Sequence, residues 1–94
     1  MKKKYALKTR FGIFQIYIWQ DKRDKMYIAE VPAFGGVLTQ GGTVSEAKRM
    51  AIDLIELLSE ETLSRGNAIL DDQKHLHARG KIARHIGPVK ITAA

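Results

Sequence analysis

Four glycines fall within eight residues, Gly35 to Gly42 in "GGVLTQGG", directly before "TVSEAKRMAIDLIELL", whose apolar spacing is helical. A glycine-rich turn that runs from a strand into a helix N-terminus is what a phosphate site requires. Small residues let main-chain amides approach the anion, and the helix start presents unpaired N–H groups to it. The rest of that chemistry is missing here. There is no lysine in a G-x-x-x-x-G-K-[ST] arrangement and no G-x-G-x-x-G. Glu46 puts a carboxylate in the first helical turn, where it repels a phosphate and competes for the same amides. The residues fit a capping box instead: the Thr43 hydroxyl accepts from the Glu46 amide, and the Glu46 carboxylate reaches back to the Thr43 amide. Pro32, Gly35, Gly36, Gly41, Gly42, Thr43 and Glu46 are thereby turn and helix-cap positions, with no part in chemistry.

The other groups capable of chemistry are dispersed. His75 and His77 would share one face of a strand and diverge on a helix, with His85 eight residues further on. Asp71 and Asp72 lie upstream, but the chain has no cysteine, and no third ligand is arranged beside the histidine pair. The histidines read as polar surface residues, and no metal or cofactor is expected. A metal-dependent nuclease needs converging carboxylates. None lies between Phe11 and Gln20, Glu30 stands alone, and Asp53 and Glu56 fall on the solvated side of the helix. A histidine-based cleavage site within Lys74–Arg84 would need a positioned pair of proton-transfer groups, which spacing alone does not supply. The chain therefore reads as a non-enzyme.

Charge is unevenly spread. The net charge is +6, yet residues 41–63 carry five acids against Lys48 and Arg49, while residues 1–10 carry five bases and no acid, and residues 64–94 six bases against two acids. The acidic centre suits a basic partner. The basic ends offer the alternative function, nucleic-acid contact through Lys2, Lys3, Lys4, Lys74, Arg79, Lys81 and Arg84. The absence of cysteine fits a reducing cytoplasm. No apolar run approaches the roughly 20 residues that span a bilayer, and no apolar segment follows the basic start as in a signal peptide.

Elements must position these groups. "FGIFQIYIWQ" alternates Phe14, Ile16 and Ile18 against Ile13, Gln15, Tyr17 and Trp19, a strand apolar on both faces, with a helix expected on one and a second subunit on the other. "DKRDK" is a polar turn, and "MYIAEV" a second strand in an antiparallel hairpin that Pro32 ends. "GVLTQ" is a short third strand. The helix after Thr43 has Ala47, Ala51, Leu54 and Leu58 on its buried stripe, widened by Met50 and Leu57, with Ile52 and Ile55 off it and Arg49 able to pair with Asp53. It ends near Ser64, with Gly66 and Asn67 as its stop. Residues 68–79 form a short helix, and Val89–Ala93 a last strand. The expectation is one α+β domain over residues 1–94, ordered β-β-β-α-(α)-β: a basic N-terminal segment over 1–10, a core of three antiparallel strands and a helix over 11–59, and a weakly patterned part over 60–94 ending in a strand.

The run "YIAEVPAFGGVLTQGGTVSEAKRMAIDLIEL" resembles the HicB antitoxins and HicB-like small proteins. Val31-Pro32, Phe34, Gly36, Thr39, Gly41, Thr43 and Glu46-Ala47 follow that family's order, with Gly35 where it usually has a turn proline; the resemblance covers Ile13 to Ser59. It implies a partial ribonuclease H-like fold and a cytoplasmic protein that self-associates. It also implies a role in a type II toxin-antitoxin pair, masking a small basic HicA-type toxin that cleaves mRNA. Residues 65–94 are too few and too broken by glycine to match the DNA-binding domain that HicB antitoxins often append, so operator binding is not implied.

Overall fold

The N-terminal basic segment is a strand. In the computed structural model, which describes residues 1–77, β1 (Lys3–Thr9) pairs antiparallel with β2 (Gly12–Gln20) along its whole length, from Lys3 opposite Ile18 to Thr9 opposite Gly12. The lysines mask a period of two: Leu7 is buried and Tyr5 and Thr9 half-buried, while Lys4, Ala6 and Lys8 face solvent. The turn closes through Thr9, whose hydroxyl donates to the Gly12 carbonyl at 2.8 Å and accepts from the Phe11 amide at 3.0 Å.

Strand β3 (Tyr27–Val31) follows the polar turn, in which Asp21 accepts from the Arg23 amide and Asp24 from the Met26 amide. A 3₁₀ turn at Pro32–Phe34 leads into β4 (Val37–Gly41), and helix α1 (Val44–Ser64) packs across the sheet. The sheet is four-stranded and antiparallel, ordered β1-β2-β3-β4, so the expected three strands gain a fourth at the N-terminus. The fold is α+β. The expected helix over 68–79 is replaced within the described residues by a two-residue hairpin, β5 (Ile69–Leu70) with β6 (Leu76–His77). The expected last strand, Val89–Ala93, lies outside the described residues. No helix among those residues is long and apolar enough to cross a membrane.

The core lies between α1 and one sheet face. Phe14, Ile16 and Ile18 of β2 and Ala29 and Val31 of β3 are fully or almost fully buried against it, and the Phe14 and Phe34 rings meet at 5.9 Å. The helix turns a different stripe inward from the one its leucines advertise: Ala47, Ala51, Ile55, Ser59 and Thr62 are buried, whereas Met50 and Leu57 are 38% and 64% exposed. A Cβ on Gly41 would lie 2.5 Å from the Ala47 nitrogen, so only glycine fits at the end of β4 against the backbone of the first helical turn. The helix stops in a Schellman arrangement: Asn67 donates to the Thr62 carbonyl and Gly66 to that of Leu63, with Gly66 at φ +83°. Arg49 and Asp53 make no ion pair. Glu56, expected to be solvated, instead accepts from the Arg10 amide at 2.9 Å and pairs with its guanidinium at 3.5 Å, tying the β1–β2 turn to α1.

Candidate recognition surfaces

The glycine-rich stretch uses up its own amides. Gly35, at φ +75°, donates to the Pro32 carbonyl at 3.1 Å, and Gly36, at φ +78°, to that of Val31 at 3.0 Å. The Glu46 amide donates to the Thr43 hydroxyl at 3.0 Å, as a capping box requires. The returning bond lands one residue earlier than expected: the Glu46 carboxylate accepts from the Gly42 amide at 2.6 Å, not from that of Thr43. The amides of Gly35, Gly36, Gly42 and Glu46 are thus bonded within the protein, to two carbonyls, a carboxylate and a hydroxyl.

Asp71 and Asp72 do structural work that their place beside the histidines hid. Strand β3 pairs with β2 only from Tyr17 to Gln20, which leaves the amides of Ile13 and Gln15 without a strand partner on that side. The two aspartates fill the gap. The Asp71 carboxylate accepts from Ile13 at 3.3 Å, the Asp72 carboxylate from Gln15, and the Asp72 amide donates to the Ile13 carbonyl at 2.9 Å. Asp71 is only 2% exposed and also caps its own turn, accepting from the Gln73 amide at 3.0 Å and the His75 amide at 2.8 Å. The His75 ring, exposed, has Nδ1 3.5 Å from this carboxylate. The backbone of His77 pairs with Ile69, and His85 lies outside the described residues. Among those residues no group of three or more His, Cys, Asp or Glu side chains is placed to hold a metal ion.

Two surfaces remain for recognition. The first is the sheet face turned away from α1. Register places Lys4, Tyr17, Glu30 and Leu38 in one row across the four strands, with Trp19 and Ile28 beside it. The Lys2 ammonium sits 4.4 Å above the Trp19 ring and 3.3 Å from Glu30. Lys74, at φ +66° in the turn between β5 and β6, lines a concavity of about 480 Å³ together with Gln15 and Tyr17. The fold therefore brings Lys2, Lys4 and Lys74 to one face, joined by Lys8, which sequence reading omitted. Lys3, on the other parity of β1, is turned to the helix side. Arg79, Lys81 and Arg84 lie outside the described residues.

The second surface is the outer side of α1. Met50, Leu54 and Leu57 follow one another at helical spacing, with Asp53, Glu60 and Glu61 on the same side. Leu58 of the same helix walls a groove of about 260 Å³ with Phe34 and Val37, and Glu61 and Arg65, paired with each other, also line it. The fold is a small α+β domain, a four-stranded antiparallel sheet with one helix across it, exposed on the outer side of each. No protein-family model matches the chain, and neither a curated protein nor a solved structure matches it.

Proposed function

We propose that this chain is a HicB-like protein-recognition module that acts in the cytoplasm, without catalysis of its own, as the antitoxin partner of a small basic HicA-type toxin. The observation that carries the reading is the outer side of α1. That side carries an apolar stripe, Met50-Leu54-Leu57, beside Asp53 and Glu60, and a groove lies between Phe34, Val37 and Leu58 with the paired Glu61 and Arg65 in its lining. Protein interfaces draw their affinity from such a combination: a groove that takes an anchoring side chain, apolar surface around it, and rim charges that steer a partner of opposite sign. A second support comes from the glycine turn, whose amides are spent on the fold. In the absence of a partner the same stripe would pair two copies of the chain, which accounts for the self-association that the family resemblance implies.

The test is to mix the protein with the product of the neighbouring reading frame, if that frame encodes a short basic protein, and to measure binding by calorimetry. The expected complex persists at 0.5 M salt because its core is apolar, and Leu57→Lys abolishes it. The reading fails if no such neighbour exists, if the two proteins do not associate, or if Leu57→Lys leaves the complex intact.

A further inference from the structure

We infer that the sheet face opposite α1 binds single-stranded nucleic acid, with bases stacked on Tyr17 and Trp19 and phosphates held by Lys4, Lys8 and Lys74. The reading is independent of the helix-side interface, because it uses the other side of the sheet. It sharpens the general basicity of the two ends into one place. Lys4 of β1 lies opposite Tyr17, and Lys74 of the β5–β6 turn, far from it in sequence, lines the concavity beside the same ring.

The aromatic geometry favours a single strand over a duplex. Tyr17 and Trp19 are two residues apart on β2 and so project from the same face roughly 6.8 Å apart, twice the strand rise; the Lys2 ammonium, 4.4 Å over the Trp19 ring, must swing aside for a base to stack there. Stacked bases in a duplex advance about 3.4 Å per step. Neighbouring bases can occupy both rings only when they are splayed apart, which a single strand allows and a duplex does not. An open concavity of about 480 Å³ lies beside Tyr17, between Gln15 and Lys74. Of the acids here, Glu30 is paired with Lys2 at 3.3 Å, while Asp72 keeps its charge on accepting from the Gln15 amide and, with Asp71, lines the concavity beside Tyr17, so a phosphate is held on the Lys4 and Lys8 side of the ring. Lys4 and Lys8 make no ion pair among the described residues. A second copy docked face to face would set these lysines against their equivalents, which disfavours the face as a dimer contact.

Trp19 is the only tryptophan, so its fluorescence reports on this face alone. The experiment titrates the full chain with 12-nucleotide single-stranded RNA and DNA of mixed sequence and with a 12-base-pair duplex, following tryptophan quenching and the anisotropy of the labelled oligonucleotide. Either single strand should quench Trp19 and bind more tightly than the duplex. With three phosphates neutralised, the log–log salt slope should be about −2, a roughly 20-fold loss between 50 and 200 mM salt. Lys4→Gln with Lys8→Gln should reduce the slope by about 1.4. Tyr17→Ala should weaken binding by roughly 5- to 100-fold, while Tyr17→Phe, which keeps the ring and the packing, and Lys22→Gln, in the β2–β3 turn, should bind like the wild type. Should Tyr17→Ala misfold by circular dichroism, the surface lysine pair decides the matter. The inference is overturned by any of four results: no binding at 50 mM salt, preference for the duplex, binding unaltered by the lysine pair, or a Trp19 signal that tracks protein concentration through self-association.

Discussion

Replacing Gly41 with alanine isolates the reason for the glycine cluster. Gly41 has no positive φ, so an alanine there meets no conformational penalty, and its cost is purely one of space. The added Cβ would lie 2.5 Å from the Ala47 nitrogen, 2.8 Å from the Glu46 carbonyl carbon and 3.0 Å from the Ala47 Cα. All three are main-chain atoms in the first turn of α1. They cannot swing aside as a side chain can, so the helix start must move off the end of β4. Overpacking of this kind costs about 1–3 kcal/mol and occasionally more, against a gain of about 0.4–1 kcal/mol from the stiffer unfolded chain. The net expectation is a loss of about 1–2 kcal/mol or more, lowering Tm by roughly 5–15 °C in a domain this small. Gly42→Ala is the control. Its Cβ would meet only the Glu46 Oε1 atom, at an ordinary 3.5 Å, again without a positive φ, so its stability should equal or slightly exceed that of the wild type. Urea and thermal unfolding, each followed by circular dichroism, measure both variants. If Gly41→Ala is as stable as Gly42→Ala, helix and strand do not approach as described.

Gly12→Ala combines a φ of +106° with a Cβ 1.8 Å from the Asp71 carboxylate, so it should cost upwards of about 2 kcal/mol; hydrogen exchange should show the Ile13, Gln73 and His75 amides losing protection together, and intact protection would refute the role given to Asp71. Ser59 is fully buried with no hydrogen-bond partner for its hydroxyl. Ser59→Ala should therefore stabilise the protein by about 1 kcal/mol, through relief of desolvation and better helix propensity, and a lowered Tm would count against this. Thr43→Ala should cost about 1 kcal/mol in chemical denaturation, since it removes the acceptor for the Glu46 amide.

Residues 11–66 were largely legible because their signals are local. The β2 alternation, the Pro32 break, the glycine turn and the Thr43–Glu46 cap each depend on neighbours a few residues away, and each recurs in the structure. What was hidden depends on distant contacts. β1 reads as a charged tail until β2 lies beside it and separates Tyr5 and Leu7 from the lysines. On α1 the expected Ala47 and Ala51 are buried, but the stripe continues through Ile55, expected off it, while Met50 and Leu57, expected to widen it, are exposed. Asp71 and Asp72 look like metal ligands beside two histidines. Their partners are β2 amides that become orphaned only because β3 is short, a fact of register that composition does not carry. Of the expected nucleic-acid residues, Lys2, Lys4 and Lys74 share a face, and the alternation of β2 puts Tyr17 and Trp19 on it too without saying what covers them.

The two proposed interfaces differ in a way that makes them separable. The α1 side is apolar with an acidic border, and the opposite sheet face is aromatic with a lysine border. The arrangement has two layers, the sheet and the helix, with the core between them and the two faces on opposite outer sides. A basic protein steered by the acidic side is repelled by the other, and a polynucleotide experiences the reverse. Competition experiments exploit this. If the helix-side partner and a single-stranded oligonucleotide bind at once, with affinities that do not affect each other, each reading stands on its own surface. Mutual exclusion would mean that one of them has been assigned to the wrong side of the sheet. Variants at Leu57 and Tyr17, which lie on opposite sides of that layer, would identify which.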